Sequence, residues 1–445
     1  MLRSSIRGRL GRLTVLFAAA FTVLSVAATP RHAPQAPVQI TVGGCWGDPI
    51  QGGAFIRIAE SFNKVQSAIH VTAKRGVGVT QVLAGVSAGN PIDVYYDCST
   101  SDLPQWAANG YAQNLDPYIK ASGFNINTII PSARAFSTYN GHTYSLPLLE
   151  DTFMLIYNKK LFDAAGIKSP PKTTEEMIAD AKKLTKKDAN GHLTQLGWAP
   201  TLYGSDYIGT WLSVYMTMFG GKLVDPSGKK ITANCKECVQ ALQWETDFIK
   251  WVGPTEMDRF TSNANNQEYS PANLLFTDKL AMVINGEYWT GMINAYARKG
   301  FQWGNAPLPY PSNRPDLAGT GVAGGNPGTL MKGSKHPQEA FKFMEYMESV
   351  GPTVAFANAI HNVPQLYAAL KSPQLDPNPH YRAFVQYAQG PKVTSFPVIP
   401  VSANFADDLT RYESLVVHGK MSPQDGLNKV TSDIQQKLDA FQSGI

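Results

Sequence analysis

An α/β fold of mostly parallel sheets, arranged as two compact bodies joined by a crossing of the chain, follows from three features of the sequence. Over residues 38–111, strand signals alternate with helix signals, the pattern of right-handed crossovers onto a parallel sheet. Residues 152–158 (TFMLIYN) are nearly all apolar, which suits a strand covered on both faces. Just before them, Pro147, Leu148, Leu149, Glu150 and Asp151 read as a crossing between bodies, and a crossing leaves a cleft for a ligand. At 445 residues, two or three domains with substantial cores are expected.

The first 28 residues read as an export signal. Arg3, Arg7, Arg9 and Arg12 form a basic head, 13–26 an apolar core too short for the ~20 residues of a spanning helix, and Ser25-Val26-Ala27 or Val26-Ala27-Ala28 a small-residue cleavage site. No Cys follows that core, so a lipoprotein acylation site is not expected, and 29–37 is a Pro/Ala tether. The expected location is the periplasm or cell exterior. Removing the signal takes away four Arg and no acid, lowering the formal charge from +5 to +1. With scattered charge and no basic stripe, nucleic acid is excluded as a partner.

In the first body, 38–42, 69–73 and 92–96 are strands, and 54–65, 80–88 and 103–109 are helices, the first with Phe55, Ile58, Ala59 and Phe62 on one face. A doubly wound sheet of order 2-1-3 puts the ends of its first and third strands side by side. Cys45 and Cys98 follow those ends and are expected to be bridged. Cys235 and Cys238, at a helix start, read as a local disulfide rather than a redox pair or zinc site, and neither a metal nor a cofactor is expected. The same strand ends carry Trp46, Asp48 and Asp97, where ligands gather in such sheets.

Asn140-Gly141 fits a type I′ hairpin. Residues 159–165 form a short helix stopped by Gly166, and Pro170-Pro171 leads to a helix capped by Thr173 or Thr174 with Glu175 and Glu176 in its first turn. A strand at 196–199 leads into a stretch holding Tyr203 and Asp206, then a helix over 211–219 and another over 238–251. Residues 280–284 are a strand, Asn285-Gly286 turns it, and Glu287, Tyr288 and Trp289 open the next helix. Helices at 337–348, 384–389, 406–417 and 423–441 close the chain.

Gly319, Gly321 and Gly324 match GxGxxG by letter, but Pro327 follows and no helix starts there, so a dinucleotide site is rejected. Glu150 and Asp151 raise a glycosidase reading. Adjacent residues of an extended chain point to opposite sides, so the pair alone cannot face one another across the ~5–9.5 Å that glycoside hydrolysis needs. No nucleophile or metalloprotease motif appears, and an enzyme is not expected. Aromatic residues near element ends, with carboxylates and amides at the edge, suit the apolar C–H face and hydroxyl rim of a sugar.

The run YSLPLLEDTFMLIYNKKLFDAAGIKSPPKTTEEM resembles the hinge-crossing segment of the carbohydrate-type extracellular solute-binding proteins of ABC importers, the group of maltose-binding protein. AGVSAGNPIDVYYD, FTDKLAMVINGEYW and SKHPQEAFKFMEYM resemble it in the same order, so the likeness runs from about Val38 to the C-terminus. It implies a two-lobed periplasmic-binding-protein fold of type II, with 38–147 and 285–332 in the N-lobe and 148–284 and 333–445 in the C-lobe. It also implies a non-enzymatic, monomeric protein that captures a di- or oligosaccharide by hinge closure and hands it to membrane permease subunits. Asp48 and Asp151 fall on positions whose acids bond sugar hydroxyls, Tyr288 or Trp289 on a stacking aromatic, and Phe405 or Ala406 on a C-terminal stacking position. Gly325 and Asn326 fall near the ligand. Trp46, Asp48 and Asp97 are expected from one lobe, with Glu150, Asp151, Tyr203 and Asp206 from the other. Relatives that bind glycerol phosphates use a Tyr and an Arg without counterparts here, which leaves that solute, a polyamine, or a secreted glycoside hydrolase as alternatives.

Overall fold

β1 (Val38–Gly44), β2 (Ile69–Arg75) and β3 (Val94–Tyr96) make the expected parallel order β2-β1-β3 in a computed structural model that describes residues 36–202 and 210–443. The export signal at 1–28 and nearly all of the 29–37 tether lie outside the described residues, as do Tyr203 and Asp206. The helix Gln51–Val65 returns the chain from β1 to β2 and buries Phe55, Ala59 and Phe62, the face read from the sequence. The neighbouring ends of β1 and β3 bring Cys45 and Cys98 to a Cα–Cα distance of 5.7 Å, where they are disulfide-bonded. Cys235 caps the helix Lys236–Val252 and is bonded to Cys238.

β4 (Thr138–Tyr139) and β5 (His142–Thr143) form the expected hairpin, with φ of 47° at Asn140 and 77° at Gly141, the positive values that a type I′ turn needs at both positions. β6 (Ser145–Asn158) is twice the length of the apolar run that predicts it, because the Pro147–Asp151 stretch is itself strand. It is followed by β7 (Lys186–Lys187), β8 (Leu193–Trp198), β9 (Leu280–Gly286), β10 (Trp303–Ala306), β11 (Gly321–Leu330), β12 (Val363–Pro364) and β13 (Val393–Ser395). The main sheet runs β2-β1-β3-β11-β6-β9-β8-β7, with β10 and β12 also paired to β6 and β13 to β11.

β6 joins two hydrophobic cores. Its first part pairs with β11 and carries Leu146, Leu148 and Leu149 into a core with Phe55, Tyr96 and Phe343. From Phe153 onward it pairs with β9 and β10 and enters a second core with Trp198, Tyr215 and Met282. A strand buried on both sides throughout must be apolar at consecutive positions, which explains the missing alternation. Because one sheet runs through both cores, Pro37–Ile445 forms one compact unit.

The cores divide the chain differently from the expected lobe boundaries. Trp289, Met292, Ile293, Trp303 and Leu308 pack in the second core, and β10 pairs with the second half of β6, so the segment from 285 does not return to the first core; β11 does. The helices Pro337–Met347 and Val350–Ile360 bring Phe341, Met344, Val354 and Phe356 into the first core, whereas Ser402–Val417 and Pro423–Ser443 complete the second. Asn285-Gly286 is not a turn. Both residues lie in β9 opposite Met154 and Phe153, and position 286 lacks a side chain because a Cβ there would run into the Tyr288 ring. The GxGxxG letters fall at the start of β11, where Gly325 and Gly328 admit the rings of Phe136 and Tyr96.

Candidate ligand-binding site

The loop after β1 and the helix after β9 meet at a narrow cavity of about 10 Å³. Asp48 and Gln51 line it from the first core's side; Tyr288, Met292 and Tyr296 line it from the helix that follows β9, with Tyr269 completing the wall. Asp48 is fixed by its own loop: Oδ1 accepts the N–H of Ile50 at 2.8 Å and of Gln51 at 2.9 Å, satisfying donors that a helix start leaves open. Burial, and after it the carboxylate of Asp48, raises the Tyr296 phenol above the usual tyrosine range, and both residues line the cavity.

Tyr288 is 3 % exposed, and its hydroxyl donates to Asn285 Oδ1 at 2.5 Å. Tyr288, Met292 and Tyr296 follow one another at four-residue spacing and so share one helix face. That spacing is the sequence signal for Met292 and Tyr296; for Tyr269, in an irregular stretch, the sequence offers none. Gly291, on the same helix, lets it lie against His361, since a Cβ there would sit 2.8 Å from His361 Nδ1.

Behind the cavity lies a cluster of buried acids. Glu150 accepts the Ser132 hydroxyl at 2.7 Å, and burial pushes it up to about 8. Asp151 accepts the Asn362 amide, and Glu287 Oε2 accepts the Thr152 N–H at 2.8 Å. All three are at most 1 % exposed and none lines the cavity. Asp97 is buried against β11: its backbone N–H reaches Pro327 O at 3.1 Å, the Asn326 amide donates to its carbonyl at 3.3 Å, and Oδ1 accepts the Cys98 N–H. Asp97, Gly325 and Asn326 are thus brought together, but outside the cavity wall.

The expected aromatic platforms are partly relocated. Trp46 turns inward against Phe55 and Phe356, at 5.4 and 5.1 Å between ring centroids. Trp289 is fully buried and donates from Nε1 to Glu268 at 3.2 Å, which ties down the residue next to Tyr269. Phe405 packs on Phe396 in the second core. Large rings sit inside wherever an apolar face needs volume, and residue type alone does not separate a packed ring from a platform. Of the expected contacts, Asp48 and Tyr288 reach the cavity.

The model of the family described as bacterial extracellular solute-binding protein matches residues 46–353. The chain belongs to that family. Over 312 residues this solute-binding protein is 26% identical to the maltodextrin-binding protein MdxE of Bacillus subtilis, covering 68% of each chain. It is 24% identical over 388 residues to the diacetylchitobiose binding protein DasA of Streptomyces coelicolor, covering 86% of this chain and 85% of that one. The solved structure of CpMnBP1 with mannotriose bound superposes with a TM-score of 0.79 at 25% identity, covering 89% of this chain and 99% of that one. The fold is therefore that of the type II periplasmic binding proteins, and the protein is an exported binding protein, not an enzyme. Among the described residues no helix is long and apolar enough to cross a membrane.

Proposed function

We propose that this chain captures a neutral di- or oligosaccharide between two lobes that close over it, and delivers it as a monomer to the permease subunits of an ABC importer. One observation carries the reading: the carboxylate of Asp48, from the first core's side, and the rings of Tyr288 and Tyr296, from the second, share a single cavity. A ligand there touches both halves only when they are together, so binding shifts an open-to-closed equilibrium. A pyranose fits the chemistry, its C–H face on a ring and its hydroxyls donating to Asp48. At about 10 Å³ the cavity has room for one water at most, so a sugar ring enters it only when the two sides part. The described lining includes no Lys or Arg, which argues against a phosphorylated solute. Relatives named for maltodextrin and diacetylchitobiose, and a structural neighbour holding mannotriose, support a sugar.

The test is a thermal-shift screen across neutral oligosaccharides, sugar phosphates and polyamines. A ligand bound only by the folded state at about 100 times its Kd stabilises by ~2.7 kcal/mol, roughly a 3 °C rise in Tm for a chain of this size. A rise with a neutral oligosaccharide and none with the charged solutes supports the reading. A rise confined to a phosphate ester or polyamine contradicts it.

A further inference from the structure

Glu287 sits one residue before Tyr288, at the corner where β9 gives way to the helix lining the cavity. One of its oxygens is held by the Thr152 N–H of β6 at 2.8 Å. Asp151, the residue before Thr152, has one oxygen held by Asn362. The remaining oxygens, Asp151 Oδ2 and Glu287 Oε1, are fully buried and meet no N–H or O–H donor among the described residues. Each acid perturbs the other's titration, and Glu287 is anchored on the residue that follows Asp151, so the two carboxyl groups lie side by side. Two buried carboxyl groups without donors can satisfy each other only with a proton between them.

We propose that Glu287 is a positioning residue for ligand capture: the proton shared with Asp151 pins the Tyr288 corner to β6, and affinity falls when that proton leaves. This rests on the carbohydrate reading of the cavity. Among the described residues no Lys or Arg contributes to the electrostatics of the pair. Glu150, the residue before Asp151 on β6, adds another acid nearby, and Tyr381, from the helix Pro379–Ala388, adds a phenol whose hydroxyl donates to Asn362 O. Beyond Tyr381, His361 is paired to Asp376 at 2.9 Å and held below the usual histidine range by burial, and Arg382 spends its guanidinium on the Leu375 and Asp376 carbonyls.

Burial raises Asp151 to about 7, and burial together with the Asp151 charge raises Glu287 well above the usual carboxylate range. The folded chain therefore holds a proton that an unfolded chain releases near pH ~4. The bridge and the stability linked to it are fully present below that pH and are lost as pH rises through the folded values, from near neutrality upward.

Glu287→Gln tests this, because an amide donates to Asp151 without a titratable proton while its oxygen still accepts from Thr152. With mannotriose as probe, wild-type affinity is expected to fall about tenfold between about pH 6 and about pH 9, whereas Glu287→Gln changes less than about twofold. Glu287→Ala, which can make neither bond, is expected to bind weakly at every pH. The Tm of the unliganded proteins is followed over the same range, with the wild type losing more than Glu287→Gln. Other buried acids, such as Glu245 and Glu413, are the same in both proteins and cancel in the comparison. Asp151→Asn makes the same comparison should Glu287→Gln not fold. Equal pH dependence in wild type and amide variants, in affinity and in Tm, overturns the inference. A wild type that binds no sugar while the Tm difference appears overturns the carbohydrate reading and leaves the proton bridge standing.

Discussion

Asp48→Ala is expected to weaken oligosaccharide binding by about 10- to 100-fold, the loss of one hydrogen bond to a charged acceptor worth ~1.5–3 kcal/mol. Oδ1 of Asp48 is committed to the Ile50 and Gln51 N–H groups, so Oδ2 is the oxygen left for a sugar hydroxyl. The same substitution removes the acceptor at the helix start, at a stability cost of ~1 kcal/mol. Asp48→Asn separates the two effects, since its amide oxygen keeps the loop in place while the charge is lost. Calorimetric titration should show both variants weakened, with Tm lowered in Asp48→Ala alone. Wild-type affinity in both would mean that Asp48 is only a loop residue.

The Cys45→Ser/Cys98→Ser double variant should lose about 4 kcal/mol of stability, the chain entropy released by opening a loop closed across a separation of 53 residues. The Cys235–Cys238 bridge spans a separation of 3 and contributes far less on the same grounds. Cys45 leads through Trp46 and Gly47 to Asp48, and Cys98 follows Asp97, so the bridge also holds the loop that carries the cavity's carboxylate. Urea unfolding of the double variant should show a lower midpoint, with a slope at least as steep because the unbridged unfolded chain exposes more surface, together with weaker binding. An unchanged midpoint would show that the bridge adds nothing to the fold.

Local signals carried most of the elements. Alternating strands and helices, the Asn140-Gly141 turn, the Thr173 capping box with Glu176 and the Cys45–Cys98 pairing each depend on residues close in sequence or on one topological rule. β11 was hidden because GVAGGNPGTL is poor in strand-forming residues; its glycines are selected by the rings of Phe136 and Tyr96, which come from elsewhere in the chain. The lobe boundaries were illegible for a related reason. An apolar helix face such as Phe341, Phe343 and Met344 says that it is buried and not against which core. In the cavity wall, Asp48 and Tyr288 stand where the strand ends and the corner after β9 put them. Trp46 and Trp289 show the limit: Trp289 follows the cavity residue Tyr288 and Trp46 lies two residues before Asp48, yet both rings turn into a core.

The most direct measurement is a crystal structure of the protein with the best oligosaccharide from the thermal-shift screen. The account predicts a sugar ring in the cavity between Asp48 and the Tyr288–Tyr296 face, with a hydroxyl on Asp48 and contacts from both sides of the sheet. A ligand held by one side alone, or lodged away from Asp48 and Tyr288, would contradict it.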